Sequence, residues 1–192
     1  KFNEAQAILA GDGLQSLAFQ ILSSSTFLVN DQKKLNMIFS LSNAIGINGM
    51  VKGQSLDIKN TANIGGIEEL EELQELKTGL LFNIIGSITY LAGDNPNDQT
   101  VIKINKLCSL LGRAYQITDD ILDYVSNAEI LGKTSGKDKK DKKIIYVSLL
   151  GLDEAKKINS KYFEEIRIII DSISGDTIFL KELITKIYQR AH

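Results

Sequence analysis

The 192-residue sequence predicts an all-α fold, a helical bundle around a central cavity. Apolar residues recur at three- and four-residue steps along almost the whole chain, and strand-like alternation is scarce. Turn-forming residues gather in a few clusters that cut the pattern into helix-length pieces, among them Ser23-Ser24-Ser25, Gly65-Gly66 and Gly93-Asp94-Asn95-Pro96-Asn97-Asp98. The first helix is expected over Asn3–Leu22, ended by the serine cluster. A second covers Gln32–Met50 and either continues or kinks through Gly46 and Gly49 into Val51–Asp57. A long helix follows over Ile67–Ala92; in its first half Ile67, Leu70, Leu73 and Leu76 line one face while Glu68, Glu69, Glu71, Glu72 and Glu75 take the others. After the proline turn a helix is expected over Gln99–Asn127, then a Gly- and Lys-rich loop over Gly132–Lys143. Two closing helices, Leu152–Ser172 and Asp176–Arg190, are split at Ser174-Gly175. No repeat and no composition break argues for a second domain, so residues 1–192 read as one domain of roughly seven or eight helices.

Composition narrows the function classes. The chain is long enough for one substantial core without disulfide or metal staples. A net charge of −2 provides no basic field for nucleic acid. No stretch approaches the roughly 18 apolar residues of a membrane span. Cys108, the single cysteine, lies in an apolar helical stretch and reads as a small buried hydrophobe; one cysteine agrees with a reducing cytosol. His192, the single histidine, ends the chain, which disfavours histidine acid–base chemistry and a structural zinc site. The opening Lys1-Phe2-Asn3-Glu4 has no initiator Met and no signal peptide, and is expected to be the beginning of a fragment.

The segment Leu111–Tyr124 is the richest in chemistry. Asp119 and Asp123 are one helical turn apart and share a face, while Asp120 is turned by about 100° from Asp119. Their flanks Ala114, Ile117, Ile121 and Leu122 are apolar, so the acids either face solvent or hold a hard cation at the edge of a cavity. Mg²⁺ suits the second case, since it is held by one or two carboxylates plus waters and phosphate oxygens. In Leu76-Lys77-Thr78-Gly79, a Thr-Gly pair weakens a strong helix at mid-length. Gly79 would admit a neighbouring helix and Lys77 could meet a phosphate; the plainer alternative is a kink beside a solvated lysine. Gln54 and Asp57, at i and i+3, share a face and could orient a water or a lysine, or simply bond at a helix end. Lys133 and Lys137 in the Gly-rich loop would suit diphosphate as mobile point charges. Lys139, Lys140, Lys142 and Lys143 read as solvated.

In this order the segments Phe2–Ala5, Ala7–Leu14, Gly49–Asp57, Leu76–Gly79, Leu111–Tyr124, Leu131–Asp138 and Tyr146–Leu152 resemble the trans-isoprenyl diphosphate synthases (polyprenyl synthetases). Within that family the chain looks like the bacterial farnesyl and plastid-type geranylgeranyl diphosphate synthases. The resemblance implies a Mg²⁺-dependent short-chain prenyltransferase, with Mn²⁺ as a substitute ion. Such an enzyme condenses dimethylallyl or geranyl diphosphate with isopentenyl diphosphate and releases pyrophosphate, with farnesyl diphosphate as the expected product. Geranylgeranyl diphosphate synthase and a non-catalytic truncated relative are the alternatives. By resemblance, Asp119, Asp120 and Asp123 hold metal, and Lys77 and Lys133 neutralise the leaving group. Thr78 and Gln116 line the reacting centre; Gln54, Asp57 and Lys137 support it. A cytoplasmic homodimer is implied too. The departures are Tyr115 where Phe is usual, and Ile144-Ile145-Tyr146-Val147 where Thr-Tyr-Pro is common. The family's first Asp-rich motif is absent, so the domain is expected to be N-terminally incomplete and inactive by itself. A terpene cyclase, sharing the fold and the substrates, is disfavoured by the Lys-Thr-Gly and Gly-Gln-x-x-Asp segments.

Overall fold

The computed structural model describes residues 2–59, 64–93, 96–131 and 144–189, and of 127–131 the backbone only. Among them are nine α-helices, one π-helical segment and no strand. In chain order they are α1 (Glu4–Ser23), α2 (Asp31–Ile45), α3 (Met50–Lys59), α4 (Ile67–Gln74), the π segment (Glu75–Gly79) and α5 (Leu80–Ala92). Then come α6 (Asp98–Leu131), α7 (Tyr146–Leu150), α8 (Leu152–Asp171) and α9 (Ile178–Gln189).

Local chemistry sets several ends. The Asn3 side chain accepts the Gln6 amide at 2.8 Å and starts α1. Asn30 accepts the Lys33 amide at 2.9 Å and starts α2. Each supplies an acceptor to an otherwise orphaned donor of the first turn.

The axis of the bundle is α6. Its buried residues Leu107, Leu111, Ala114, Thr118 and Ile121 recur at three- and four-residue steps. At one end they meet Phe163, Ile166 and Ile170 of α8 and Ile184 of α9. Further along, Ile117 and Ile121 meet Leu70 of α4, Tyr146 and Val147 of α7 and Ala155 of α8. Each such aliphatic side chain taken out of water contributes about 1.5–3 kcal/mol. A third cluster, Leu22, Met37 and Leu41 with Phe19, Ile84 and Ile88, joins α1, α2 and α5. The outer faces of α1 and α2 stay apolar and exposed at Ile8, Leu9, Ile21, Leu35 and Phe39.

The all-α expectation holds, and three elements differ from the sequence pattern. The long helix expected over Ile67–Ala92 is interrupted by the π segment. The second helix stops at Ile45, and the chain turns before α3 rather than running on. The five-residue α7 is too short to display a period, and it was not expected.

Candidate active site

The π segment carries Lys77 and Thr78 on a backbone that closes i→i+5 bonds, a wide turn that rotates following residues relative to an α-helix. Two close approaches frame it. A Cβ on Gly53 of α3 would fall on the Lys77 amide nitrogen and the Leu76 carbonyl carbon, so α3 lies directly against the π backbone. On the other side Gly112 of α6 crosses at Gly79, where a Cβ on Gly112 would lie 3.2 Å from the Gly79 Cα. A Cβ on Gly79 itself would lie 2.5 Å from Glu75 Oε2. The close crossing is thus permitted by Gly112, while the missing Cβ of Gly79 makes room for the Glu75 carboxylate.

With α3 seated there, Asp57 forms an ion pair with the Lys77 ammonium. Both side chains are largely out of solvent, at 27% exposure for Lys77 and 14% for Asp57. Of the readings open for Asp57, contact with a lysine is seen. From α6, Gln116 Nε2 donates to Thr78 Oγ1 at 3.1 Å and fixes that hydroxyl. Gln54, Lys77 and Thr78 are among the residues that line a cleft of about 820 Å³. Most of the other lining residues are apolar, among them Leu14, Leu41, Ile45, Leu81 and Ile85, with Gln15 of α1 as a further polar one. A mostly apolar cleft with a lysine and a hydroxyl in its lining suits an amphiphile with an anionic head and a hydrocarbon body.

The acid-bearing turn lies one turn beyond Gln116 on α6. Just before it, Asn159 Nδ2 of α8 donates to Thr118 Oγ1 at 3.0 Å, both residues fully buried. Asp119 is half-buried and Asp123 exposed. Asp120 goes the other way. It is 9% exposed, and its Oδ2 accepts from the Tyr146 amide at 3.1 Å and from Gln74 Nε2 at 3.3 Å. Among the described residues no group of three or more His, Cys, Asp or Glu side chains gathers closely enough to hold a metal. The chemistry of the outward pair still fits Mg²⁺, because that ion needs only one or two protein carboxylates when phosphate oxygens and waters complete its shell. Lys133 and Lys137, expected at the diphosphate, lie outside the described residues.

Sequence reasoning missed the polar residues behind the site. Gln74 is 7% exposed, and its Oε1, like Glu75 Oε2 and Asn83 Oδ1, is buried with no hydrogen-bond partner in the protein. Asn83 Nδ2 holds the other Glu75 oxygen at 2.9 Å. Beside them Arg113 approaches Glu71 at 3.8 Å. Burial opposes the Arg113 charge, yet its hydrogen bond to Tyr162 and the nearby Glu71 and Glu75 outweigh that and raise its pKa. The Tyr146 phenol is held protonated, chiefly by burial. The one available signal was Gln74 standing four residues after Leu70 on the apolar stripe of its helix.

A second apolar cleft of about 690 Å³ opens between α5, α6 and α9, lined by Phe82, Ile104, Leu107, Leu180 and Leu183. Cys108 borders it and is buried, as expected. Desolvation pushes its thiol up to about 11, against the opposing effect of its hydrogen bond to the Gly86 backbone.

Comparisons with known proteins bear on the family and the fold. A sequence model of the polyprenyl synthetase family matches residues 1–172. Farnesyl diphosphate synthase of Escherichia coli (strain K12) is 37% identical over 99% of this chain and 65% of that protein. The Micrococcus luteus farnesyl diphosphate synthase is 38% identical over 99% of this chain and 64% of its own length. The chain thus spans about two thirds of those relatives. Among solved structures, a putative farnesyl-diphosphate synthase from Marinomonas sp. MED121 superimposes with a TM-score of 0.79 at 30% identity, covering 97% of this chain and 64% of that one. A geranyltransferase from Helicobacter pylori, complexed with magnesium and isoprenyl diphosphate, does so with a TM-score of 0.75 at 26% identity, covering 98% and 61%. On the family match over residues 1–172 and this shared fold, the chain belongs to the polyprenyl synthetase family.

Proposed function

We propose that the protein to which this chain belongs is a short-chain prenyltransferase. It joins dimethylallyl diphosphate, and then the geranyl diphosphate so formed, to isopentenyl diphosphate, releases one pyrophosphate and one proton at each condensation and yields farnesyl diphosphate. The observation that carries the reading is a mostly apolar cleft lined also by Gln54, Lys77 and Thr78. That lining matches an allylic diphosphate, with the head at Lys77 and the isoprenoid along Leu81, Ile85 and Leu41.

Breaking the allylic C–O bond leaves negative charge on the pyrophosphate and positive charge on the allyl fragment. The Lys77 ammonium, held in place by Asp57, meets the first. Thr78 Oγ1, having accepted one bond from Gln116, keeps a second lone pair for the second. Aliphatic walls exclude water that would quench the cation to an alcohol. Asp119 and Asp123 would hold Mg²⁺, which supplies charge neutralisation of the diphosphate when bound. Lys133 and Lys137 belong to the same proposal, as does Mn²⁺ as a substitute ion.

No described helix is long and apolar enough to cross a membrane; a cytoplasmic location is part of the proposal. So is a homodimer, supported by the exposed apolar faces of α1 and α2.

The intact protein, supplied with geranyl diphosphate, isopentenyl diphosphate and Mg²⁺, should release pyrophosphate and form a fifteen-carbon product. An Asp119→Ala variant should lose this activity. Condensation retained in that variant would sink the metal role. A product formed without isopentenyl diphosphate would point to a cyclase, and a twenty-carbon product to geranylgeranyl diphosphate synthesis.

A further inference from the structure

Adjacent acids on a helix point about 100° apart, so Asp119 and Asp120 cannot both face the same partner squarely. The structure divides them. Asp119 looks outward with Asp123, one turn on. Asp120 is buried, and one of its oxygens receives two N–H donors from two other elements. The first donor is the amide of Tyr146, the opening residue of α7. Ile145, preceding that helix, has no side-chain acceptor, so the cap for the first α7 donor comes from α6. The second is Gln74, the last residue of α4, directly before the π segment that carries Lys77 and Thr78. Asp120 thus ties together the acid-bearing turn of α6, the base of the π segment and the start of α7.

We infer that Asp120 is a positioning residue and not a Mg²⁺ ligand. Its carboxylate fixes the start of α7 and Gln74 to α6, and thereby sets the orientation of the turn from which Asp119 and Asp123 reach outward. This rests on the proposed metal role of Asp119 and Asp123, but the tie itself exists without any metal. A neutral amide oxygen accepts the same two hydrogen bonds, whereas replacing a carboxylate ligand by an amide weakens Mg²⁺ binding. The two roles therefore separate in an Asp120→Asn variant.

The experiment uses the intact protein with Asp120→Asn, Asp120→Ala and Asp119→Asn. The readouts are the Mg²⁺ concentration for half-maximal activity and, without metal, the amide hydrogen exchange of residues 146–150. Asp120→Ala should expose the α7 amides, with protection falling about tenfold or more. Asp120→Asn should restore that protection and keep half-saturating Mg²⁺ within about twofold of the unmutated protein, while Asp119→Asn raises it about tenfold or more. An Asp120→Ala chain that fails to fold, beside an Asp120→Asn chain that folds with the original Mg²⁺ dependence, supports the same role. A rise in half-saturating Mg²⁺ in Asp120→Asn matching that of Asp119→Asn, with α7 still protected, overturns it. So does unchanged α7 protection in Asp120→Ala, or an Asp120→Asn chain that does not fold. If Asp119→Asn leaves the Mg²⁺ dependence unmoved, the proposed metal site fails instead, and the exchange data still decide the tie.

Discussion

At the scale of single residues, the Lys77–Asp57 pair is the most consequential contact at the cleft. A flexible lysine in solvent would spend rotamer entropy each time it met an anion. Held by Asp57, the ammonium of this cleft-lining residue is already positioned, and much of that cost is met on folding. Replacing Lys77 by Ala should lower kcat/KM by about 10²-fold, the usual loss when one donor to a developing anion is removed. Asp57→Asn should cost less, because Lys77 stays and keeps an amide oxygen as acceptor; steady-state kinetics of the two variants tests the order. Cys108 offers a pH test. Its thiol is raised from 9.0 to about 11 by burial, so the fold favours the neutral form. The stability this contributes is complete below the unfolded value of 9.0 and is lost as pH rises through about 11. Urea midpoints measured at about pH 8 and about pH 11 should fall further for the unmutated protein than for Cys108→Ala. Equal falls would show that the thiol is not the titrating group.

At the scale of elements, the π segment decides the site. A continuous α-helix from Ile67 to Ala92 would turn Lys77 and Thr78 to other directions, because the extra residue of a π turn shifts everything after it. The crossing of α3 at Gly53 leaves no room for a methyl group against the Lys77 backbone. Gly53→Ala would gain helix propensity in α3 but force α3 away from the π segment. The clash is with backbone atoms and cannot be relieved by a rotamer change. The variant should lose about 1–3 kcal/mol by chemical denaturation and also lose activity, since Gln54 and Asp57 move with α3. Full stability in Gly53→Ala would mean that α3 does not sit so closely. The periodic pattern made the helix legible but not its interruption. Only the low-propensity Thr78-Gly79 pair marked the place, and a kink would have left the same mark.

At the scale of the whole molecule, α6 organises two of the three cores, and α1 with α2 forms a wall whose outer side has no partner among the described residues. Ile8, Leu9 and Ile21 on α1 and Leu35 and Phe39 on α2 are more than half exposed, which is unusual for so many large apolar side chains on two adjacent helices. The proposed dimer covers this wall. The intact protein should sediment at twice its monomer mass at micromolar concentration, and a Leu9→Lys/Phe39→Lys double variant should shift it toward monomer. An unchanged sedimentation coefficient in that variant would place the contact elsewhere.

The sequence by itself determined the helical class and the buried stripe of α6, and it singled out Gln54, Lys77 and Thr78, which line the cleft. It could do so because helical period is a local property, written at steps of three and four residues. Tertiary structure alone decided how those residues divide their work. The partners of Asp120 lie 26 and 46 residues away in sequence, and those of Lys77 and Thr78 lie 20 and 38 residues away. No local pattern encodes such pairings. Two neighbouring aspartates look alike on a helix, and only the elements packed around it turn one toward a buried amide and the other outward.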